Sequence, residues 1–243
     1  MTLIKAKLEN IVNDDVLGST CEIQKVTGQV VKKACRRMLP GKTDVTESYT
    51  SDVFLHAPDI LFDHLAAVFR SYLLYGTVTL QILTCAFLPL FKGGLKNAAV
   101  FDSFRAFAGA SQLLKLFEYV ILIVWGDCLR SDTMQFGFKK VVSTTKCSWL
   151  VNLVTTYFMR HGTAVTACLL DCSKAFDKFQ FDKLFEKLII KGLPAVVIRV
   201  RIFVYQEQEG CVKLGGKKSS FFANQWNQAR FSSFSCALFS LSG

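Results

Sequence analysis

SYLLYGTVTLQILTCAFLPLF, from Ser71 to Phe91, is the stretch on which the reading of this chain turns. Its 21 residues lie between Arg70 and Lys92 and carry no charge. Length and neutrality alone make it a membrane-span candidate. Gly76, Thr77, Thr79, Gln81, Thr84 and Pro89 interrupt it, however, and a glycine is a natural helix end. The spacing therefore predicts a helix ending near Gly76, a short helix after it, and a buried strand over Cys85–Phe91. A membrane protein spanning about 72–91 is the alternative this stretch offers.

Upstream, Leu61, Leu65, Val68 and Tyr72 recur at helical steps, and Pro58 suits a first helical turn, where a missing N–H costs little. Residues 1–50 carry weaker signals and are expected to be a weakly structured basic leader. Its run Cys35-Arg36-Arg37-Met38-Leu39-Pro40-Gly41-Lys42 ends in a Pro-Gly turn signal.

Downstream, Lys92-Gly93-Gly94 reads as a turn. Ser111 is placed to cap a helix through Leu113, Leu114, Leu116, Phe117, Val120, Ile121 and Val124. Gln135-Phe136-Gly137-Phe138 follows in a loop. Ser143-Thr144-Thr145 then opens a helix bearing Trp149, Leu150, Leu153, Val154 and Tyr157. Helices are expected again over Phe181–Ile190 and Ala195–Tyr205, parted by Gly192-Leu193-Pro194. Cys211–Leu214, Gly215-Gly216 and Lys217–Phe222 read as a β-hairpin with a two-residue turn.

The bulk numbers narrow the function classes. In 243 residues, 51% are hydrophobic and 13% aromatic, enough for a sizeable core and against wholesale disorder. Twenty-nine Lys and Arg against 19 Asp and Glu give a net charge of +10, which favours polyanionic partners. Nine cysteines occur without paired spacing, and Met1 to Asn10 shows no secretory leader. Reduced thiols in a cytoplasmic or nuclear, non-secreted protein are the expectation. Cys168 and Cys172 lie four apart, but His56, His64 and His161 add no pair at finger spacing, so a structural zinc is not expected.

The most informative chemistry follows Ala164-Val165-Thr166-Ala167-Cys168-Leu169-Leu170, a continuous apolar run that reads as a buried strand. It ends at Asp171. A carboxylate leaving a buried strand is costly unless it meets a cation or donors, and strand ends are where ligand sites are assembled in mixed architectures. Asp171 and Asp177 would together suit an oxygen-seeking divalent cation. From the residues alone Asp177 reads better as a helix cap, and Asp171 stays open between cap and ligand.

Leu169-Leu170-Asp171-Cys172-Ser173-Lys174-Ala175-Phe176-Asp177-Lys178 resembles the first catalytic motif of reverse transcriptases from non-LTR, LINE-type retrotransposons. Three further stretches follow that family's order. Phe104-Arg105-Ala106-Phe107, with Leu113-Leu114-Lys115-Leu116-Phe117-Glu118 after it, resembles the fingers motif written Tyr-Arg-Pro-Ile and its following helix. Gln135-Phe136-Gly137-Phe138-Lys139 with Ser143-Thr144-Thr145 resembles Gln-Phe-Gly-Phe-Arg…Ser-Thr. Arg230 with Ala237-Leu238-Phe239-Ser240 resembles the edge of Arg-Gln-Gly-Ser…Pro-Ala-Leu-Phe.

The resemblance implies an α+β, right-hand polymerase fold with helical fingers over 51–160 and a partial palm sheet over 161–243. It implies two Mg²⁺ ions acting on an attacking hydroxyl and a leaving pyrophosphate, an RNA template, and a DNA primer or RNA–DNA hybrid. By resemblance Asp171 would be the catalytic metal ligand, and Phe176 the gate beneath the sugar. Arg105 would pair with the incoming triphosphate through its guanidinium fork. Arg230 would lie near the nucleotide, and Gln135 and Lys139 along the template. Read without the family, Phe136 and Phe176 are equally ordinary core aromatics, and Lys139-Lys140 a solvated face.

The pattern also departs from the family. Its aromatic-x-Asp-Asp hairpin does not occur in the sequence up to Gly243. Arg-Gln-Gly-Ser stands as Arg230-Phe231-Ser232-Ser233, without the glycine that lets backbone approach a nucleotide. Cys236 replaces a proline, and Val141 or Val142 an expected glycine. The expectation is a polymerase relic without activity of its own. The alternative is a basic module that binds RNA or an RNA–DNA hybrid without catalysis. Poor solubility is expected of a palm left with open strand edges.

Overall fold

The computed structural model describes residues 20–93, 100, 103–130, 135–137, 143–170, 181–214, 217–219 and 222–223. Their architecture is mixed α+β. Helices α1 (Thr20–Gln24), α2 (Gly28–Cys35), α3 (Asp52–Leu55) and α4 (Asp59–Tyr75) precede strands β1 (Thr84–Phe91) and β2 (Phe104–Ala110). Then come α5 (Gln112–Trp125), α6 (Thr144–Arg160), α7 (Phe181–Ile190), α8 (Ala195–Glu207) and strands β3 (Glu209–Leu214), β4 (Lys217–Lys218) and β5 (Phe222–Ala223).

The neutral stretch behaves as its interruptions dictate. Pro58 stands in extended backbone just before α4, and α4 closes at Gly76, whose φ of 70° lies in the left-handed region that a Cβ disfavours. A single 3₁₀ turn over Leu80–Leu83 follows, and β1 begins at Thr84. Among the described residues no helix is long and apolar enough to cross a membrane.

The buried face of α4 differs from the expected one. Phe62, Ala66, Phe69, Tyr72 and Leu73 are buried, whereas Val68 is exposed; Tyr72 alone is shared with the expected stripe. The helix is turned by one residue so that its aromatic rings meet α5. Phe69 and Tyr72 lie 5.1 and 5.7 Å from the Phe117 ring, spacings at which ring pairs add to plain burial.

Residues 20–50 also need correction, since they are no loosely structured leader. Val31, Ala34 and Cys35 of α2 are buried, and α2 packs on both α4 and α5. Thr27 caps the helix by accepting from the Val30 N–H. The pattern is hidden because Lys32, Lys33, Arg36 and Arg37 flank a narrow apolar face. Gly28 permits close approach to α4: a Cβ there would fall 2.0 Å from Asp63 Oδ1.

The sheet runs β2-β1-β3-β4, with β5 also pairing to β3. β1 is antiparallel to β2 (Leu88 opposite Phe107) and parallel to β3 (Ala86 opposite Cys211). β3 and β4 pair Lys213 with Lys218 and Leu214 with Lys217, bracketing the expected Gly-Gly turn. One hydrophobic core runs from Ile23 to Tyr205, crossing the boundary expected at residue 160. Segments anticipated as fingers and palm thus share a core and a sheet.

The expected strand over 164–170 is not formed. Those residues belong to no ladder, and Leu169 and Leu170 are 96% and 92% exposed. A continuous apolar strand needs cover on both faces, and this run is exposed along its length, although the outer edge of β2 is left unpaired among the described residues.

Candidate functional site

The residues assigned by resemblance are not gathered into a site among the described residues. Asp171, Phe176, Lys139 and Arg230 lie outside them, as does Asp177. Arg105 stands on β2 opposite Leu90. Gln135 spends its amide on its own loop, where Nε2 donates to the Gly137 carbonyl at 3.3 Å. No strand forms before Asp171, and the described residues do not build a Mg²⁺ site. Among them no group of three His, Cys, Asp or Glu side chains could hold a metal. The seven described cysteines are free thiols.

The structure assembles a different constellation around a loop that sequence reading passed over. The loop between α2 and α3 begins at Leu39 and is fastened by side chains. Ser51 Oγ donates to the Leu39 carbonyl at 2.7 Å and accepts from the Lys42 N–H at 3.0 Å. Asp52 accepts from the Gly41 N–H with both oxygens at 3.1 Å. Thr43 bridges Thr50.

At its centre Asp44 is buried, and its Oδ1 accepts a 2.7 Å hydrogen bond from the Gln112 N–H, the first residue of α5. Oδ2 accepts from the Thr46 N–H at 2.9 Å and hydroxyl at 2.7 Å, an Asx-type turn. Ser111 occupies the cap position expected for it, but its side chain does not cap α5; Asp44 does so instead. Burial pushes the Asp44 carboxyl up, but the bonds from Thr46, Gln112 and Ser111 together outweigh it and hold it below the usual carboxylate range.

Between this loop, the sheet and α5 lies a cleft of about 930 Å³, within the size range of small-ligand sites. Ala86, Leu88, Phe107 and Lys213 form its sheet side, and Gln112, Lys115 and Tyr119 of α5 face them. Three acids line it, and each is already engaged. Asp44 holds backbone donors. Glu47 pairs with Lys213 at 2.6 Å and Lys218 at 3.5 Å. Glu118 pairs with buried Arg201 of α8 at 3.3 Å.

Burial pushes the Glu118 carboxyl up to about 8, against the pull of Arg201. Burial likewise lowers the Lys115 ammonium, opposed by Glu118 and Asp44. Lys213 also donates to the Val45 carbonyl at 3.0 Å, whereas Lys42 and Lys115 form no ion pair with a described residue. Exposed Lys33, Arg36 and Arg37 lead directly into Met38 and Leu39 of the cleft wall. Arg37 is near enough to favour ionisation of the Tyr119 hydroxyl, which burial otherwise opposes.

The cleft lining is mainly apolar, with Lys42, Lys115 and Lys213 beside the three acids. A signal for it existed in the sequence. Asp44 two residues before Thr46 is an Asx-turn pattern, and it follows a basic run. The partner, Gln112, is 68 positions away, and no local rule connects the two. No protein-family model matches the chain, and no curated protein matches it in sequence.

Proposed function

We propose that the chain is a reverse-transcriptase-type domain of a non-LTR retrotransposon, of right-hand polymerase design, which as these 243 residues holds nucleic acid and does not extend a primer. The family part rests on four motif-like stretches in one order, the first of which runs along β2 and straight into α5. The loss of catalysis is supported by the run at 164–170, which is exposed and belongs to no strand. Binding to an RNA template or an RNA–DNA hybrid is supported by one observation above all. Lys42 and Lys115 line a cleft whose three acids each already hold a partner, and Lys33, Arg36 and Arg37 precede its wall in sequence.

Phosphate contacts release counterions, so affinity for a labelled RNA–DNA hybrid should fall steeply with salt. Three or four contacts predict a loss on the order of 100-fold between about 50 and 200 mM salt. Lys42→Met with Lys115→Met should flatten that slope by about two charges. Primer extension with Mg²⁺ or Mn²⁺ should be absent. Extension abolished by Asp171→Ala would overturn the loss of catalysis; salt-insensitive binding would overturn the nucleic-acid role.

A further inference from the structure

α6 is unlike the other long helices described, because none of its 17 residues is buried. Yet its sequence carries a core pattern. Leu150, Leu153, Val154, Tyr157 and Phe158 recur at i, i+3, i+4, i+7 and i+8, which places them on one stripe. Their exposures run from 38% to 58%. The other side carries Ser148, Asn152, Thr155 and Thr156, all uncharged. The unpaired run that follows adds Leu169 and Leu170, almost wholly exposed. Patches of this kind on a folded chain mark interaction surfaces.

We infer that the α6 stripe is a self-association surface, on which two copies of this chain pack their α6 helices antiparallel about a two-fold axis. Area is the first argument. Taking large apolar side chains at roughly 150–250 Å² each, the stripe with Val151 offers on the order of 500 Å² per chain at the exposures above. Two copies would bury about 1,000 Å², the size at which a specific interface is sustained. Chemistry is the second. From Leu150 to Phe158 the stripe holds no acid or base, with Lys146 one turn before it, and such an apolar run is its own complement, as an isologous contact requires. Antiparallel packing also sets each helix N-terminus beside its partner's C-terminus, the favourable arrangement of the two dipoles. A helix lying on a lipid surface would carry Lys and Arg across its polar face; α6 has Ser, Thr and Asn there.

Light scattering of the full chain at micromolar concentration should give twice the 27.2 kDa monomer mass. Val154→Glu, in the middle of the stripe, should return it to the monomer mass, while Thr155→Glu on the polar side should leave the pair intact. Val154 is not buried, so the variant should keep the parental thermal melt, which separates a lost interface from a lost fold. A monomer at all concentrations overturns the inference, as does a pair indifferent to Val154→Glu or a mass that climbs without closing at two. Vesicle or RNA–DNA hybrid binding that Val154→Glu abolishes in a monomeric parent would assign the stripe to that partner instead.

Discussion

The buried carboxylate of Asp44 accepts the backbone N–H of Gln112 at 2.7 Å, so the first turn of α5 is closed by a residue 68 positions earlier. That bond joins the wall of the cleft to the loop that roofs it. It also decides how the loop responds to substitution and to acid.

Asp44→Ala leaves the Gln112 and Thr46 N–H groups without their acceptor. A lost N-cap costs about 0.5–2 kcal/mol, and a buried bond to a charged group about 1.5–3 kcal/mol. A stability loss of roughly 2–3 kcal/mol is expected in urea denaturation. Asp44→Asn should cost less, because one oxygen can still accept from Gln112.

The same carboxylate sets an acid limb. Its folded pKa is held below the ordinary value of 3.8. Its contribution is therefore complete above that value and is lost as pH falls through the folded one. Melting temperatures compared between pH 6 and pH 3 should fall more for the parent chain than for Asp44→Ala. Equal losses would remove Asp44 from the account.

What could be foreseen and what could not divides along the same line. The end of α4 is legible because Gly76 acts locally, and so is the break between α7 and α8 at Gly192-Leu193-Pro194. α5 and α6 also open directly after Ser111 and Ser143, although neither serine side chain caps its helix. The face of α4 is not legible, since ring packing on Phe117 selects it. Nor is the fate of residues 164–170, because an apolar run becomes a buried strand only where the rest of the fold covers both its faces. The Asp44 site depends on a contact between distant residues. Of the residues chosen by resemblance, Arg105 falls on β2 and Gln135 in a described loop, and the rest lie outside the described residues.

Arg199 of α8 reaches back to α4, where its Nη2 donates to the carbonyls of Leu74 at 2.6 Å and Leu73 at 3.2 Å. Gly76 leaves the room: a Cβ there would lie 2.3 Å from Arg199 Nε. Gly76→Ala should cost about 1–3 kcal/mol through its left-handed backbone alone, and more through the clash. In an Arg199→Ala background the second part disappears. A double-mutant cycle should therefore show positive coupling, whereas additive losses would mean the arginine simply swings aside.

Glu118 and Arg201 form a buried pair, with side chains only 8% and 4% exposed, and the Arg201 guanidinium lies 5.6 Å from the Tyr205 ring centre. Glu118→Leu strands a buried cation and should cost about 3–5 kcal/mol, a large share of the stability of an ordinary domain. Glu118→Leu with Arg201→Met should recover most of it, because an apolar pair of similar volume removes both desolvation costs. Urea titration of the single and double variants measures the difference.

Thiol chemistry offers an independent check on the packing. Burial pushes the Cys85 thiol from 9.0 up to about 12 and the Cys35 thiol to about 11, while Cys21 and Cys168 are exposed. Only the thiolate reacts, so Cys85 should hold about a thousandfold less reactive form than an unperturbed thiol at the same pH, and burial blocks the reagent besides. Peptide mapping after a brief iodoacetamide pulse should find Cys21 and Cys168 modified, with Cys35 and Cys85 labelled only in urea. Early labelling of Cys85 would mean that β1 is not sandwiched between β2 and β3 against α4 and α5, and the cleft built on that strand would lose its floor.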